Sequence, residues 1–181
     1  MKVSDLTIAQ YYKFEQYIAD NDIYAIFDLF GVDVSDMKIS DMNTKFAEIS
    51  NISITKKQLS RYYYIKGTKY KAMLNLNKIK AGQFLDFQNY MAGDHKLEQI
   101  LSIFLIPMKK TFFGWKSRKY GDDYDVVKVQ EEIRDNFLIE DAITLSDFFL
   151  NLSIHLSKVM KASLVRKLGK MMKKQQKNQQ Q

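Results

Sequence analysis

Apolar positions along this chain recur mostly at helical spacing. In TIAQYYKFEQYIAD (7–20), Ile8, Tyr11, Tyr12, Phe14, Tyr17 and Ile18 form one stripe, and Thr7 is placed to cap it. DIYAIFDLF (22–30) predicts a second short helix, capped by Asp22 and stopped by Gly31. After a polar connector a third is expected over 40–50, with Ser40 as cap and Met42, Phe46 and Ile49 on one face. From Leu59 to Leu76 the period changes. Tyrosines and Ile65 cluster before Lys66-Gly67-Thr68, and alternation resumes through Tyr70, Ala72, Leu74 and Leu76. That is the pattern of a β-hairpin turning at Gly67. Two further helices are expected over 81–92 and 95–106. Pro107 ends the second, because proline pushes its predecessor out of the helical region. Another helix is predicted over 125–138, with Val126, Val129, Ile133 and Phe137 sharing a face. The last is expected to start at Asp141 or Thr144. Its stripe Phe149, Leu152, Leu156, Met160, Leu164, Leu168 and Met171 extends about 35 Å, more than a small domain needs.

These elements predict a mainly α fold with a small β-hairpin (α+β): a compact helical domain followed by a long basic C-terminal helix. The expected organisation is a helical domain over 1–147 with its hairpin near 60–76, an amphipathic basic helix over 148–174, and a polar tail over 175–181. A chain of 181 residues can bury a core without a covalent staple.

Charge divides the chain unevenly. There are 28 Lys and Arg against 21 Asp and Glu, and no acidic residue follows Asp147. Eight of the basic residues lie beyond it, so the preceding 147 residues carry 20 against 21. A near-neutral body with a basic arm points to an anionic partner for the arm, or to a merely solubilising tail. The basic helix fits a nucleic-acid groove, an anionic membrane or a helix of another subunit. Its stripe of Leu and Met without Trp speaks against the membrane. Its lysines suit phosphates rather than base edges. Over 108–123, Phe112, Phe113, Trp115 and Tyr120 interleave with Lys109, Lys110, Lys116, Arg118 and Lys119, in a loop or short strand pair. Such a segment can stack on bases. The stronger expectation is that these aromatic residues pack back onto the core.

Catalytic chemistry finds little footing. The absence of cysteine excludes disulfides, thiolate metal sites and a cysteine nucleophile. His95 and His155 lie far apart, which argues against a zinc enzyme or a His-based triad. Asp122, Asp123 and Asp125 cluster, but no glutamate stands where a calcium loop needs one, so they read as a turn with Asp125 capping the next helix. Gly67 and Gly82 belong to no phosphate loop, there is no G-x-S-x-G elbow, and Glu131 and Glu132 are expected to face solvent. No catalytic residue, metal site or cofactor is predicted. No run of about 20 apolar residues is present, and the N-terminal MKVSDLTIAQYY has no apolar signal core, so neither a membrane span nor an export signal is expected.

Three stretches carry a resemblance: IYAIFDLFGVDVSDMKISDM (23–42); YKAMLNLNKIKAGQFLDFQNYM (70–91) with LEQILSIFLIPMKK (97–110); and DVVKVQEEIRDNFLIEDAITLSDFFLNLS (125–153). Their order resembles a group of small proteins encoded among the virion and tail-assembly genes of tailed bacteriophages, particularly crAss-like phages of gut Bacteroidales. It covers about residues 20–155 and leaves the basic arm outside. The resemblance implies a non-enzymatic neck, tail or internal virion component, or an assembly chaperone, located in the virion or the host cytoplasm. Its implied partners are other virion or tail proteins or a second copy of the chain. The expected partner surface is Phe149, Leu152, Leu156, Met160, Leu164 and Leu168. The alternative is a sequence-nonspecific nucleic-acid-binding accessory protein, in which Lys167, Lys170, Lys173, Lys174 and Lys177 neutralise phosphates, aided by Trp115.

Overall fold

Helices form where the 3.6-residue stripes place them, and side-chain caps set their starts. In the computed structural model, which describes residues 2–50, 57–75, 78–93, 96–151 and 154, the Gln10 N–H donates to Thr7 Oγ1 at 3.3 Å and the Thr7 N–H to Gln10 Oε1 at 2.9 Å. That reciprocal box opens α1, Ile8–Ala19. Asp22 Oδ1 accepts from the Ala25 N–H at 3.0 Å and opens α2, Ile23–Leu29. Gly31 follows at φ +65°, the left-handed conformation that stops a helix. α3, Ile39–Ser50, starts one residue before the expected Ser40 cap, and the Ser40 hydroxyl turns to Asp41 instead.

β1, Tyr62–Ile65, and β2, Thr68–Ala72, pair antiparallel around Lys66 and Gly67, both at positive φ (+47° and +78°). Such a turn matches the twist of its strands, and glycine supplies its second position without strain.

The sheet corrects the expectation of a mainly α fold with a lone hairpin. Among the described residues it has four antiparallel strands in the order β1-β2-β3-β4. The helix expected over 81–92 is present, but the one expected over 95–106 is cut short by a strand. α4 is Ala81–Ala92 and α5 is Leu97–Phe104, and β3, Leu105–Thr111, begins directly at the end of α5. β4 is Gly114–Ser117. Residues 100–108 are buried throughout, so they carry no one-sided stripe, and period cannot separate a buried helix from a buried strand. Pro107 therefore does not end the helix; it lies inside β3. Its carbonyl accepts from the Arg118 N–H at 3.1 Å, just past β4. The N–H that proline lacks would point the same way, so no bond to β2 is lost.

α6, Val126–Asn136, opens on Asp125, whose Oδ1 accepts from the Val127 and Lys128 N–H groups. Val129, Ile133 and Phe137 are buried as the stripe predicts, and Tyr63 of β1 meets Phe137 edge to face at 5.3 Å. α5 and α6 pack together beneath the sheet face that carries Tyr63, Ile65, Tyr70 and Ala72. α1 lies against α2 and α6, and α4 against α5. The buried Gln83 of α4 donates from Nε2 to the Ile103 carbonyl at 3.1 Å. The last described helix, α7 (139–151), starts earlier than Asp141 or Thr144. The Ile139 N–H donates to the Leu6 carbonyl at 2.8 Å and the Ile8 N–H to the Phe137 carbonyl at 3.1 Å, which pins the α6–α7 corner to the N-terminal segment.

Tyrosine–carboxylate pairs link these elements. Tyr12 donates to Glu98 at 2.9 Å, Tyr70 to Glu132 at 2.6 Å and Tyr120 to Asp86 at 3.0 Å. Burial, reinforced by the carboxylate acceptor, pushes all three phenols above their ordinary range. Glu132 thus does not simply face solvent; it is the acceptor for a fully buried tyrosine.

The chain divides into two units, Met1–Ser146 and Asp147–Gln181. In the second, Phe148 and Phe149 meet edge to face at 5.3 Å, and Phe149 is buried.

Candidate functional site

The first unit projects one element away from its core. The first four residues of β3 are buried and the last three exposed, and β4 is exposed along nearly all its length. Beyond Met108 the β3–β4 hairpin has no core beneath either face. Thr111 pairs with Gly114 and its hydroxyl donates to the Gly114 carbonyl at 2.7 Å. Gly114 takes φ +110°, a conformation that side chains with a Cβ avoid. Phe112 and Phe113 are left at the apex, 97% and 96% exposed, with their rings edge to face at 5.4 Å. The expectation that this segment's aromatic residues pack onto the core is overturned for these two. Tyr120 and Tyr124 do turn inward, their rings 6.3 Å apart, and burial raises both phenols.

Basic residues line the hairpin's length. Lys109 stands directly opposite Lys116, and Lys110 opposite Trp115. Two ammonium groups across a ladder repel unless solvent or an anion lies between them. Lys109, Thr111, Lys116, Ser117, Arg118 and Asp123 line a cleft of about 480 Å³. Asp123 is already engaged there, accepting from the Lys119 N–H at 2.7 Å. On the other side the Lys69 ammonium lies 5.7 Å from the Trp115 ring and 4.4 Å from that of Tyr62. Trp115 itself is 42% exposed. Chemically, this element can bury apolar surface on a partner and attract anions.

The residues singled out in the sequence are not all brought together. Trp115 sits on the hairpin. Phe149 lies in the second unit, and Leu152, Leu156, Met160, Leu164, Leu168, Lys167, Lys170, Lys173, Lys174 and Lys177 lie outside the described residues. The aspartate cluster separates into three tasks: Asp122 pairs with Lys80 at 3.5 Å, Asp123 closes the turn, and Asp125 caps α6. Among the described residues no group of three or more His, Asp or Glu could hold a metal ion, and no helix is long and apolar enough to cross a membrane. Sequence reading missed Phe112 and Phe113 as exposed and missed Lys69, Tyr62 and Tyr64 altogether. The available signal was the short strand pair with glycine closing its turn, which places the two residues before Gly114 at an apex. No protein-family model, curated protein or solved structure matches the chain.

Proposed function

We propose that this chain is a non-enzymatic structural or assembly protein of a tailed bacteriophage, a component of the neck, tail or virion interior, acting through protein–protein contacts. The hairpin apex carries the binding part of this reading. The same unit that hides Phe14, Phe27 and Phe104 presents Phe112 and Phe113 to solvent. Burying that pair against a partner gains roughly 3–6 kcal/mol before the entropy of association is subtracted. That is the scale of an interface hot spot. Leu152, Leu156, Met160, Leu164 and Leu168 are the second contact of the proposal; Phe149, expected at the head of that stripe, is buried and is left out of it. The phage setting rests on the resemblance over residues 20–155, and other virion or tail proteins or a second copy are the partners it implies. Mass spectrometry of purified virions, with copy number per particle, tests the reading. Stoichiometric presence, lost in the Phe112→Ser/Phe113→Ser variant, supports it. Absence from both mature particles and assembly intermediates overturns it.

A sequence-nonspecific nucleic-acid accessory role is the second reading. It is favoured by the eight basic residues after Asp147, which have no acidic neighbour in sequence, and by exposed Trp115 beside Lys69. Steep salt dependence of DNA affinity supports this role; salt-insensitive self-association supports the first.

A further inference from the structure

Register decides what the sheet face opposite Tyr63 and Tyr70 carries. Residues paired across an antiparallel ladder share a face. Tyr62 pairs with Lys71, Lys71 with Ile106, Tyr64 with Lys69, and Lys110 with Trp115. All stand opposite the face that holds Tyr63, Ile65, Tyr70 and Ala72. On their side Ile106 and Met108 of β3 are buried, so the accessible groups are those of β1, β2 and the distal hairpin. Three rings are available there: Tyr64 is 68% exposed and Tyr62 37%, alongside Trp115. The Lys69 ammonium lies within 5.7 Å of the Tyr64 and Trp115 rings and nearer still to Tyr62, so it reaches across β3 and joins the three rings into one patch.

The sheet's charge is of one sign, with Lys69, Lys71 and Lys110 on this face and Lys109 and Lys116 on the other. No strand of the sheet contains an acidic residue. None occurs between Glu48 and Asp86, or between Glu98 and Asp122. The near-neutral charge of residues 1–147 is therefore an average over acidic helices and a basic sheet.

We propose that this face binds single-stranded nucleic acid, with Tyr62, Tyr64 and Trp115 stacking on bases and Lys69, Lys71 and Lys110 facing phosphates. From β1 to β4 the face spans three strand spacings, about 14 Å, which fits the two or three bases a four-stranded sheet can stack. A duplex keeps its base faces stacked on each other and out of reach of the rings, so single strands are selected. The strand residues of this face include no Arg, Asn or Gln to read base edges, so the sequence bound is immaterial. This inference deepens the nucleic-acid reading by moving the contact from the C-terminal arm to the sheet.

Trp115 is the only tryptophan, so its fluorescence reports on this face. The full chain is titrated with a ~20-nucleotide oligothymidylate at 50 and 200 mM salt. The expected result is quenching of Trp115. Three phosphate contacts give a log–log salt slope of about −2, so Kd rises about 16-fold over that range. Tyr64→Ala, at an exposed position, weakens binding by at least ~5-fold, with folding checked by circular dichroism. Changing Lys167→Gln, Lys170→Gln, Lys173→Gln, Lys174→Gln and Lys177→Gln together leaves the quench and its Tyr64 dependence in place. Binding that disappears in this arm variant and ignores Tyr64→Ala overturns the sheet site while leaving the arm reading standing. Absence of binding in every variant removes both. Equal quenching by a duplex of the same length also refutes the proposal, as does a blue shift on phosphatidylglycerol-containing vesicles with no response to the oligonucleotide.

Discussion

Two tyrosines of this fold predict opposite responses to loss of a hydroxyl. Tyr70 is fully buried and donates to Glu132 at 2.6 Å. The hydroxyl of Tyr124 is also shielded from water, yet has no hydrogen-bond partner among the described residues. Tyr70→Phe removes a hydrogen bond to an ionised acceptor, a net loss of about 1.5–3 kcal/mol, and leaves the half-buried Glu132 without its donor. Tyr124→Phe removes an oxygen that gave up hydration and received nothing, so stability holds or rises by about 1 kcal/mol. Urea unfolding of the full chain at pH 7 measures both. With a slope of about 1–3 kcal/mol per molar urea, Tyr70→Phe lowers the midpoint by about 1 M. A double-mutant cycle with Glu132→Gln isolates the pair and is expected to show coupling of at least ~1 kcal/mol. The reasoning fails if Tyr70→Phe stays within ~0.5 kcal/mol of the parent, or if Tyr124→Phe loses as much as Tyr70→Phe.

The same pair fixes an alkaline limb. Burial, then Glu132, raises the Tyr70 phenol, so the folded state holds this proton more tightly than the unfolded chain does. The contribution is complete below the unfolded value of about 10 and declines as pH rises above it, by about 1.4 kcal/mol per pH unit for each such tyrosine. Tyr70→Phe is expected to remove about 1 kcal/mol of the stability lost between pH 10 and 11.

Three other named contacts give expected outcomes. Thr7→Ala removes the α1 capping box and is expected to lower stability by about 1 kcal/mol, read from the same urea midpoint. Phe112→Ser/Phe113→Ser is expected to leave that midpoint within ~0.5 kcal/mol of the parent, since neither ring is buried; a larger loss refutes the open-apex description. Burial raises the Asp141 carboxyl despite Lys57 at 3.8 Å, so its ionised form opposes folding at neutral pH. Asp141→Asn is expected to raise Tm at pH 7, with the gain fading as pH falls through the carboxylate range.

The features legible in the sequence were those that depend on near neighbours. Thr7, Asp22 and Asp125 cap helices through bonds to residues two or three positions away, and Gly67 sets a two-residue turn. β3 was illegible for two reasons. Residues 100–108 are buried on every side and lose periodicity, and Pro107 is tolerated because the N–H it lacks would face away from β2, an orientation set by the pairing register. At the candidate site, Trp115 was legible as an aromatic residue among lysines. Phe112 and Phe113 were not, because apolar character gives a tendency toward burial but no position relative to the core. The patch of Tyr62, Tyr64, Lys69 and Trp115 spans more than 50 positions and exists only through the pairing register of all four strands.

The direct passage of α5 into β3 at Phe104–Leu105 makes tolerance to insertions and deletions uneven along the chain. One residue added there must either turn the helix by about 100° or send every β3 side chain to the opposite face. In the second case each buried residue of β3 turns to the other face, Leu105 taking the place of Ile106 and Pro107 that of Met108. An insert between Phe112 and Phe113 enters open solvent and leaves every buried neighbour in place. Epitope tags, loop grafts and natural length variation therefore belong at the apex, and the helix–strand junction must keep its residue count.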